Sequence, residues 1–217
     1  MGIFKFILIL LSAYLIGSLP FGYLAGKLIK RVDLRQEGSK NVGATNVFRV
    51  MGTLPAIVVL LLDISKGFLA IHLVSLFQLG GSAGISLQAF NLVRTLAGLA
   101  AIAGHNWTIF LKFRGGKGVA TGCGVSLGLA LLPALVSLAI FVVVTGLTRY
   151  VSLGSMFAVL AFPLNCLLFK ESLILVFFGS FVALVVVVRH QANIKRLIAG
   201  TENRIEWVRN KEKISNF

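Results

Sequence analysis

Four short polar strings interrupt an otherwise apolar chain of 217 residues, and their side chains are of the kinds that hold anions. The first, VDLRQEGSKNVGATNVFRV from Val32 to Val50, crowds Gly38, Ser39, Asn41, Gly43, Thr45, Asn46 and Arg49 together. Glycines at Gly38 and Gly43 permit backbone turns that aim successive N–H groups at one point. Ser39, Thr45 and Asn46 add side-chain donors, and Arg49 brings a planar charge that matches phosphate bidentately. A capped loop leading into a helix uses Asn and Ser as turn formers too. The string alone fits both readings.

The second string, LKFRGGKGVATG from Leu111 to Gly122, runs through Gly115, Gly116, Lys117 and Gly118 directly into a helix. Free amides at a helix N-terminus, close backbone approach at glycine and one lysine make a phosphate cradle. It is not a Walker A loop: Gly118 follows the lysine where Ser or Thr is needed, and Leu111 stands where the first Gly belongs. Nucleotide hydrolysis therefore loses its support. The third and fourth strings are Arg149-Tyr150-Val151-Ser152 and Arg189-His190-Gln191-Ala192-Asn193. His190 and Asn193, three apart, share one helix face.

Two charges stand inside an apolar run, Asp63 and Lys66, also three apart. Intramembrane charges are costly and point into the protein. The pair reads as an ion pair that fastens its helix to its neighbours, with Lys66 also placed to complete an anion pocket. His72 reads as packing and His105 as a supporting hydrogen-bonder beside Asn106 and the interfacial Trp107. Cys123 and Cys166 make no metal-ligand spacing and read as free buried thiols; no metal site is expected.

Composition shows what must position these strings. Hydrophobic residues make up 57% and charged ones 13%, against about a quarter charged in soluble domains, and the mean hydropathy is +0.93. Soluble and disordered chains are both excluded. Apolar windows fall at 6–26, 53–78, 88–111, 119–148, 150–169 and 172–188, and about 20 residues cross the hydrocarbon. The window 119–148 is too long for one crossing and too short for two. With Pro133 at its middle, it reads as two short helices, 119–131 and 134–148, forming a hairpin that returns to its starting side. The expectation is an all-α integral membrane protein with seven transmembrane helices and termini on opposite faces.

The positive-inside rule then orients it. With the N-terminus outside and the C-terminus cytoplasmic, all of the 21 lysines and arginines except Lys5, Lys66, Arg94 and Lys170 fall inside. The net charge of +14 thus reflects topology, and no nucleic-acid partner is expected. Arg94 reads as snorkelling to the outer interface, and Gly80-Gly81-Ser82-Ala83-Gly84 as a short external turn. The first run is longer than a signal-peptide core and reads as a retained span. Residues 1–217 form a single polytopic domain, with 201–217 a basic cytoplasmic tail lying on anionic lipid.

The strings GSKNVGATNVFR, DISKG, GHNW, FRGGKGVATG, RYVSL and RHQANIKRL, in this order and spacing, resemble the bacterial membrane acyl-phosphate:glycerol-3-phosphate acyltransferase family (PlsY) over residues 10–200. The resemblance implies a seven-helix protein of the bacterial cytoplasmic (inner) membrane with its active site on the cytoplasmic face. It implies transfer of a fatty acyl group from acyl phosphate to the 1-hydroxyl of sn-glycerol 3-phosphate, the first acylation of phospholipid synthesis. No cofactor is implied, and neither acyl-CoA nor acyl carrier protein is used directly. By the same resemblance Ser39, Gly43, Thr45, Gly115, Gly116 and Gly118 cradle the acyl phosphate, with Asn41 beside them. Arg49, Lys117, Ser152, His190 and Asn193 hold glycerol 3-phosphate, and Lys66, from its place in the span, is added to that set. Ser39, Asn41, Thr45, Lys117, His190 and Asn193 are the catalytic set.

No Asp or Glu stands in the glycine-rich motifs to act as base. The expectation is direct transfer, with a substrate phosphate oxygen taking the hydroxyl proton. Two positions depart from the family pattern: Lys40, which adds a charge beside the anion site, and Thr108, in place of a common proline, which is expected to loosen the end of the third helix. A transporter of a small phosphorylated anion is the rival class, but it needs polar residues near the midplane of several spans. Here they gather at one face.

Overall fold

A computed structural model of the chain describes residues 2–78 and 86–205, and over these it is helical throughout. Helix α1 (Ile3–Ser18) breaks at Leu19-Pro20 and continues as α2 (Phe21–Ala25) and one π-helical turn, Gly26–Lys30. A loop then leads to the short α3 (Ala44–Met51) and the long α4 (Thr53–Gln78). Next come α5 (Leu87–Asn106), with Ser86 as its N-cap, and α6 (Val119–Leu129). They are followed by α7 (Leu131–Thr148), α8 (Val151–Leu168), α9 (Leu173–Arg189) and α10 (Gln191–Ile198).

Among the described residues, five stretches are long and apolar enough to cross a membrane: Ile3–Lys30, Thr53–Leu76, Leu87–Leu111, Leu131–Thr148 and Val151–Leu168. A sixth follows if α9 and α10, bent by 61° at His190, count as one broken span. The seventh expected segment, α6, has 11 residues. At 1.5 Å per residue that is about 16 Å, half of the hydrocarbon. The hairpin over 119–148 is therefore unequal, with a half-length helix going in and an 18-residue helix coming back.

Its turn also lies elsewhere than expected. The chain breaks at Ala130 (φ −149°, ψ 89°), and Pro133 is the third residue of α7. In a first helical turn proline's missing N–H has no bond to lose. Arg94 does not snorkel: its Nη2 donates to the Gly128 carbonyl at 2.6 Å. A cation there caps the last turn of α6, where free carbonyls collect. The turn expected at Gly80 to Gly84 lies outside the described residues.

Close packing comes from glycines facing backbone. A Cβ on Gly67 of α4 would strike the Thr121 carbonyl of α6, and one on Gly124 of α6 would strike the Ile64 carbonyl of α4. Small residues are what lets two helices approach in an apolar medium. The break in α1 frees carbonyls, and neighbours take them: Lys66 Nζ donates to Leu19 O at 2.8 Å and Thr108 Oγ1 to Ser18 O at 2.6 Å. Thr108 thus fastens the end of α5 to α1, where it was expected to loosen it.

Candidate active site

The polar strings converge on one cavity of about 530 Å³. Its mouth is built by the loop before α3, the start of α6, the start of α8 and the junction of α9 with α10. Its depth is lined by apolar faces of α4, α6, α7, α8 and α9. Ser39, Asn41, Gly43, Thr45, Arg49, Lys117, Gly118, Ser152, His190 and Asn193 all border it; Gly115, Gly116, Lys66 and Lys40 do not.

One wall is held by Asn46. Its side chain, fully buried, accepts the Ser39 N–H at 2.7 Å and donates to the carbonyls of Leu34, Glu37 and Asn41 at 3.1, 3.0 and 2.7 Å. Both ends of the amide are occupied, so Asn46 organises the loop and is not free to meet an anion. Gly38 (φ +57°) supplies the left-handed turn that lets the loop wrap it, and a Cβ there would collide with Asn46 Oδ1. Asn41 Oδ1 accepts the Gly43 N–H at 2.8 Å, an Asx turn entering α3. Thr45 and Arg49, four apart on α3, share the face toward the cavity.

The glycine-rich string divides in two. The Gly115 and Gly116 amides donate to the carbonyls of Asn106 and His105, at 3.1 and 3.0 Å, and their carbonyls accept from Arg189 Nη2 at 3.2 and 2.7 Å. A Cβ on Gly116 would collide with the His105 ring. These two glycines therefore pack the loop onto the end of α5, with both donors committed. Gly118 (φ +82°) is the N-cap of α6 and does border the cavity, as do Val119 and Ala120 in the first turn, whose amides have no partner within the helix.

The opposite wall joins α8, α9, α10 and the segment after them. Lys117 Nζ donates to Asn193 Oδ1. His190 Nδ1 faces the Val186 carbonyl at 2.7 Å; a carbonyl only accepts, so that nitrogen carries the proton and Nε2 is left as an acceptor. Burial, and then the Lys117 charge, push His190 down to about 4, which keeps the ring neutral at pH 7. Burial also pushes Lys117 down to about 8, with Glu202 opposing and Arg196, Arg49 and Arg189 adding to the fall.

Glu202 is the residue that sequence reasoning missed. Its carboxylate is buried against the site, accepting from Ser152 Oγ at 2.9 Å, Asn193 Nδ2 at 2.7 Å and Arg196 Nε at 2.6 Å. Burial works to raise its pKa, but those hydrogen bonds and the Arg196 charge outweigh it and hold Glu202 below the ordinary carboxylate range. Gly200 (φ +68°) turns the chain back, and Ile205 N–H donates to the Arg149 carbonyl at 2.9 Å. Residues 201–205 thus close over the site, where a tail resting on lipid was expected; the rest of that tail lies outside the described residues. The available signal was an acid two residues after a helix-stopping glycine.

Beneath the mouth, Asp63 pairs with Lys66 at 2.7 Å, both buried, and His105 Nδ1 lies 3.6 Å from the same carboxylate oxygen. With its bond to Leu19, Lys66 ties α4 to α1 and points its charge away from the cavity. Asp63 and His105 border the cavity's edge.

The family described as glycerol-3-phosphate acyltransferase matches residues 7–200. A glycerol-3-phosphate acyltransferase of Synechococcus sp. (strain CC9902) is 47% identical over 199 residues, covering 92% of this chain and 94% of the relative. One from Shouchella clausii (strain KSM-K16) is 45% identical, covering 90% and 93%. Among solved structures, the glycerol 3-phosphate form of PlsY (YgiH), an integral membrane glycerol 3-phosphate acyltransferase, superposes with a TM-score of 0.83 at 35% identity, covering 93% of this chain and 96% of that one. Its lysophosphatidic acid form gives 0.80 at 34% identity.

Proposed function

The chain belongs to the glycerol-3-phosphate acyltransferase family, and from that premise we propose that it moves a fatty acyl group from acyl phosphate to the 1-hydroxyl of sn-glycerol 3-phosphate, releasing inorganic phosphate. The product is 1-acyl-glycerol 3-phosphate, a lysophosphatidic acid. One observation carries this reading: a single cavity has a cationic, hydrogen-bonding mouth and an apolar depth between helices. Two phosphorylated substrates, one water-soluble and one with a lipid tail, need both.

The enzyme is one polytopic domain of the bacterial cytoplasmic membrane, with the N-terminus outside and the cavity mouth on the cytoplasmic face. Arg49 and Lys117 border that mouth, and Arg189 and Arg196 lie close enough to act on Lys117, which supports this orientation.

Ser39, Asn41, Thr45 and the first-turn amides of α6 receive the acyl phosphate. Arg49, Lys117, Ser152, His190 and Asn193 hold glycerol 3-phosphate, and the hydrogen bonds that link Lys117, Asn193, Ser152 and Glu202 support treating them as one unit. Lys66, committed to Asp63 and Leu19, is left out of that unit.

The 1-hydroxyl oxygen attacks the acyl carbonyl carbon, forming the ester bond. The bond between that carbon and the phosphate oxygen breaks, and its electron pair leaves with phosphate. The hydroxyl proton passes to an oxygen of the departing phosphate. Neither protein candidate is a good base: Glu202 already accepts three hydrogen bonds and is held below the ordinary carboxylate range, and His190 takes up a second proton only in acid. The protein's part is to orient the nucleophile and stabilise the developing charge.

Purified protein given palmitoyl phosphate and labelled glycerol 3-phosphate should form lysophosphatidic acid and phosphate without CoA or acyl carrier protein. Product only from acyl-CoA, or a covalent acyl adduct on Ser39 or Ser152 during turnover, would refute this chemistry.

A further inference from the structure

Below its polar mouth the cavity runs down between α8 and α9, and on that side it has an end. Along α8 the residues bordering it run from Ser155 through Ala158 and Val159 to Phe162, and along α9 from Val186 through Val182 to Gly179 and Phe178; on α7 the lining continues to Ser137 and Ala134. The two phenylalanines are buried and meet edge to face, with centroids 6.3 Å apart and planes at 82°. Gly179 permits this, because a Cβ there would sit 2.7 Å from Phe162 Cδ1. One turn deeper, Cys166 on α8 and Leu175 on α9 are buried and pack with the same rings. Asn165 is buried there too, donating to Ser137 Oγ at 3.0 Å. None of these three borders the cavity.

We infer that the Phe162–Phe178 pair is the end stop of the acyl slot between α8 and α9 and fixes the longest chain that binds straight along those helices. This rests on the donor being a fatty acyl phosphate. From Ser152 at the mouth to Phe162, α8 rises about 15 Å, at 1.5 Å per residue. An extended alkyl chain advances roughly 1.25 Å per carbon, given a C–C bond near 1.52 Å, so roughly a dozen carbons fit before the rings. A longer chain has to turn away from the rings, toward Ser137 and Ala134 of α7 or toward Ile57, Leu60 and Leu138, which border the cavity and are open to lipid.

Lipid tails are as apolar as the slot, so a chain gains nothing by transfer from bilayer to slot. Discrimination comes from fit and acts on one side: the stop disfavours chains that are too long and leaves shorter ones alone.

The test is the ratio of kcat/KM for stearoyl phosphate over lauroyl phosphate, with glycerol 3-phosphate as acceptor. Phe162→Ala deepens the slot and should raise the ratio about tenfold; Ala158→Phe raises its floor by one helical turn and should lower the ratio by a similar factor. Phe162→Leu keeps most of the packing and should move the ratio as Phe162→Ala does, by less, and decides the matter if either larger change prevents folding. A ratio within about twofold of wild type in every folded variant, with product still formed, overturns the end stop and leaves the reaction intact. A wild-type enzyme that makes no product from either donor overturns the reaction, and the slot with it.

Discussion

Replacing Glu202 with Gln separates a carboxylate that tunes the pocket from one that only closes it. The change keeps the shape and removes the charge. Gln retains one oxygen, which can still accept from Ser152 and Asn193, and places an NH₂ against Arg196. Arg196 is about one-third exposed, with a side-chain accessibility of 35%, so water recovers part of the lost bond and the cost to stability is about 1 kcal/mol. The electrostatic effect is larger in consequence. Glu202 holds Lys117 up against burial, and Lys117 still lies at about 8, so about nine-tenths is protonated at pH 7. Without the carboxylate its pKa falls further. In the proposed role the ammonium is the form that binds phosphate, so activity should be present below the Lys117 pKa and lost as pH rises through it. The assay is kcat/KM for glycerol 3-phosphate against pH, which reports the free enzyme. An acid limb near 6 belongs to the second ionisation of the substrate phosphate. In the wild type the alkaline limb should fall near 8; in Glu202→Gln it should move to lower pH, and in Arg196→Gln, which removes a cation that depresses Lys117, to higher pH. An alkaline limb that does not move in Glu202→Gln would refute the coupling.

Lys117→Ala and Arg49→Ala should each lower kcat/KM by roughly 10- to 150-fold, the worth of a charged hydrogen bond of about 1.5–3 kcal/mol; near-normal kinetics in membrane-inserted protein would count against both as phosphate ligands. Asp63→Ala strands the buried Lys66 charge, about 3–5 kcal/mol, and should lower the detergent Tm strongly while KM for glycerol 3-phosphate changes little; the reverse pattern would make the pair part of the binding site. Asn46→Ala removes the groups that gather the Leu34 to Asn41 carbonyls and the Ser39 amide, and should raise protease cleavage between Val32 and Gly43 together with KM for acyl phosphate. Unchanged cleavage would mean that the loop holds its shape without it.

The spans were legible because an uncharged run has few places to go. The windows 53–78, 150–169 and 172–188 match α4, α8 and α9 within a residue or two at each end. The window 119–148 was legible in length and misleading in detail. Proline marks a break only inside a helix, and at the first turn of α7 it begins one. What caps the last turn of α6 is Arg94, a residue of α5 whose side chain reaches the Gly128 carbonyl. No local pattern around Ala130 carries that information, and the same is true of Thr108, whose partner is the broken end of α1.

The candidate site was legible as a set of strings and only partly as a set of roles. Glycine in a sequence says that backbone comes close to something, and donor accounting decides to what. Gly118 approaches the cavity, while Gly115 and Gly116 approach α5 with their amides already spent. Asn46 and Lys66 are displaced from the anion in the same way, each by partners that lie close only after folding. Glu202 is the opposite case, an acid that composition dissolves into a basic tail. Arg49, Lys117 and Arg196 brought together in a half-buried pocket repel one another, and burial weakens the screening that would relieve them. A pocket with the proposed task of holding a dianion therefore needs an anion of its own between substrates. Glu202 meets that need while using all its contacts on protein donors, so it steadies the cations without acting as a base. The balance that matters is this local one, of three cations against one acid, and the chain-wide charge of +14 conceals it.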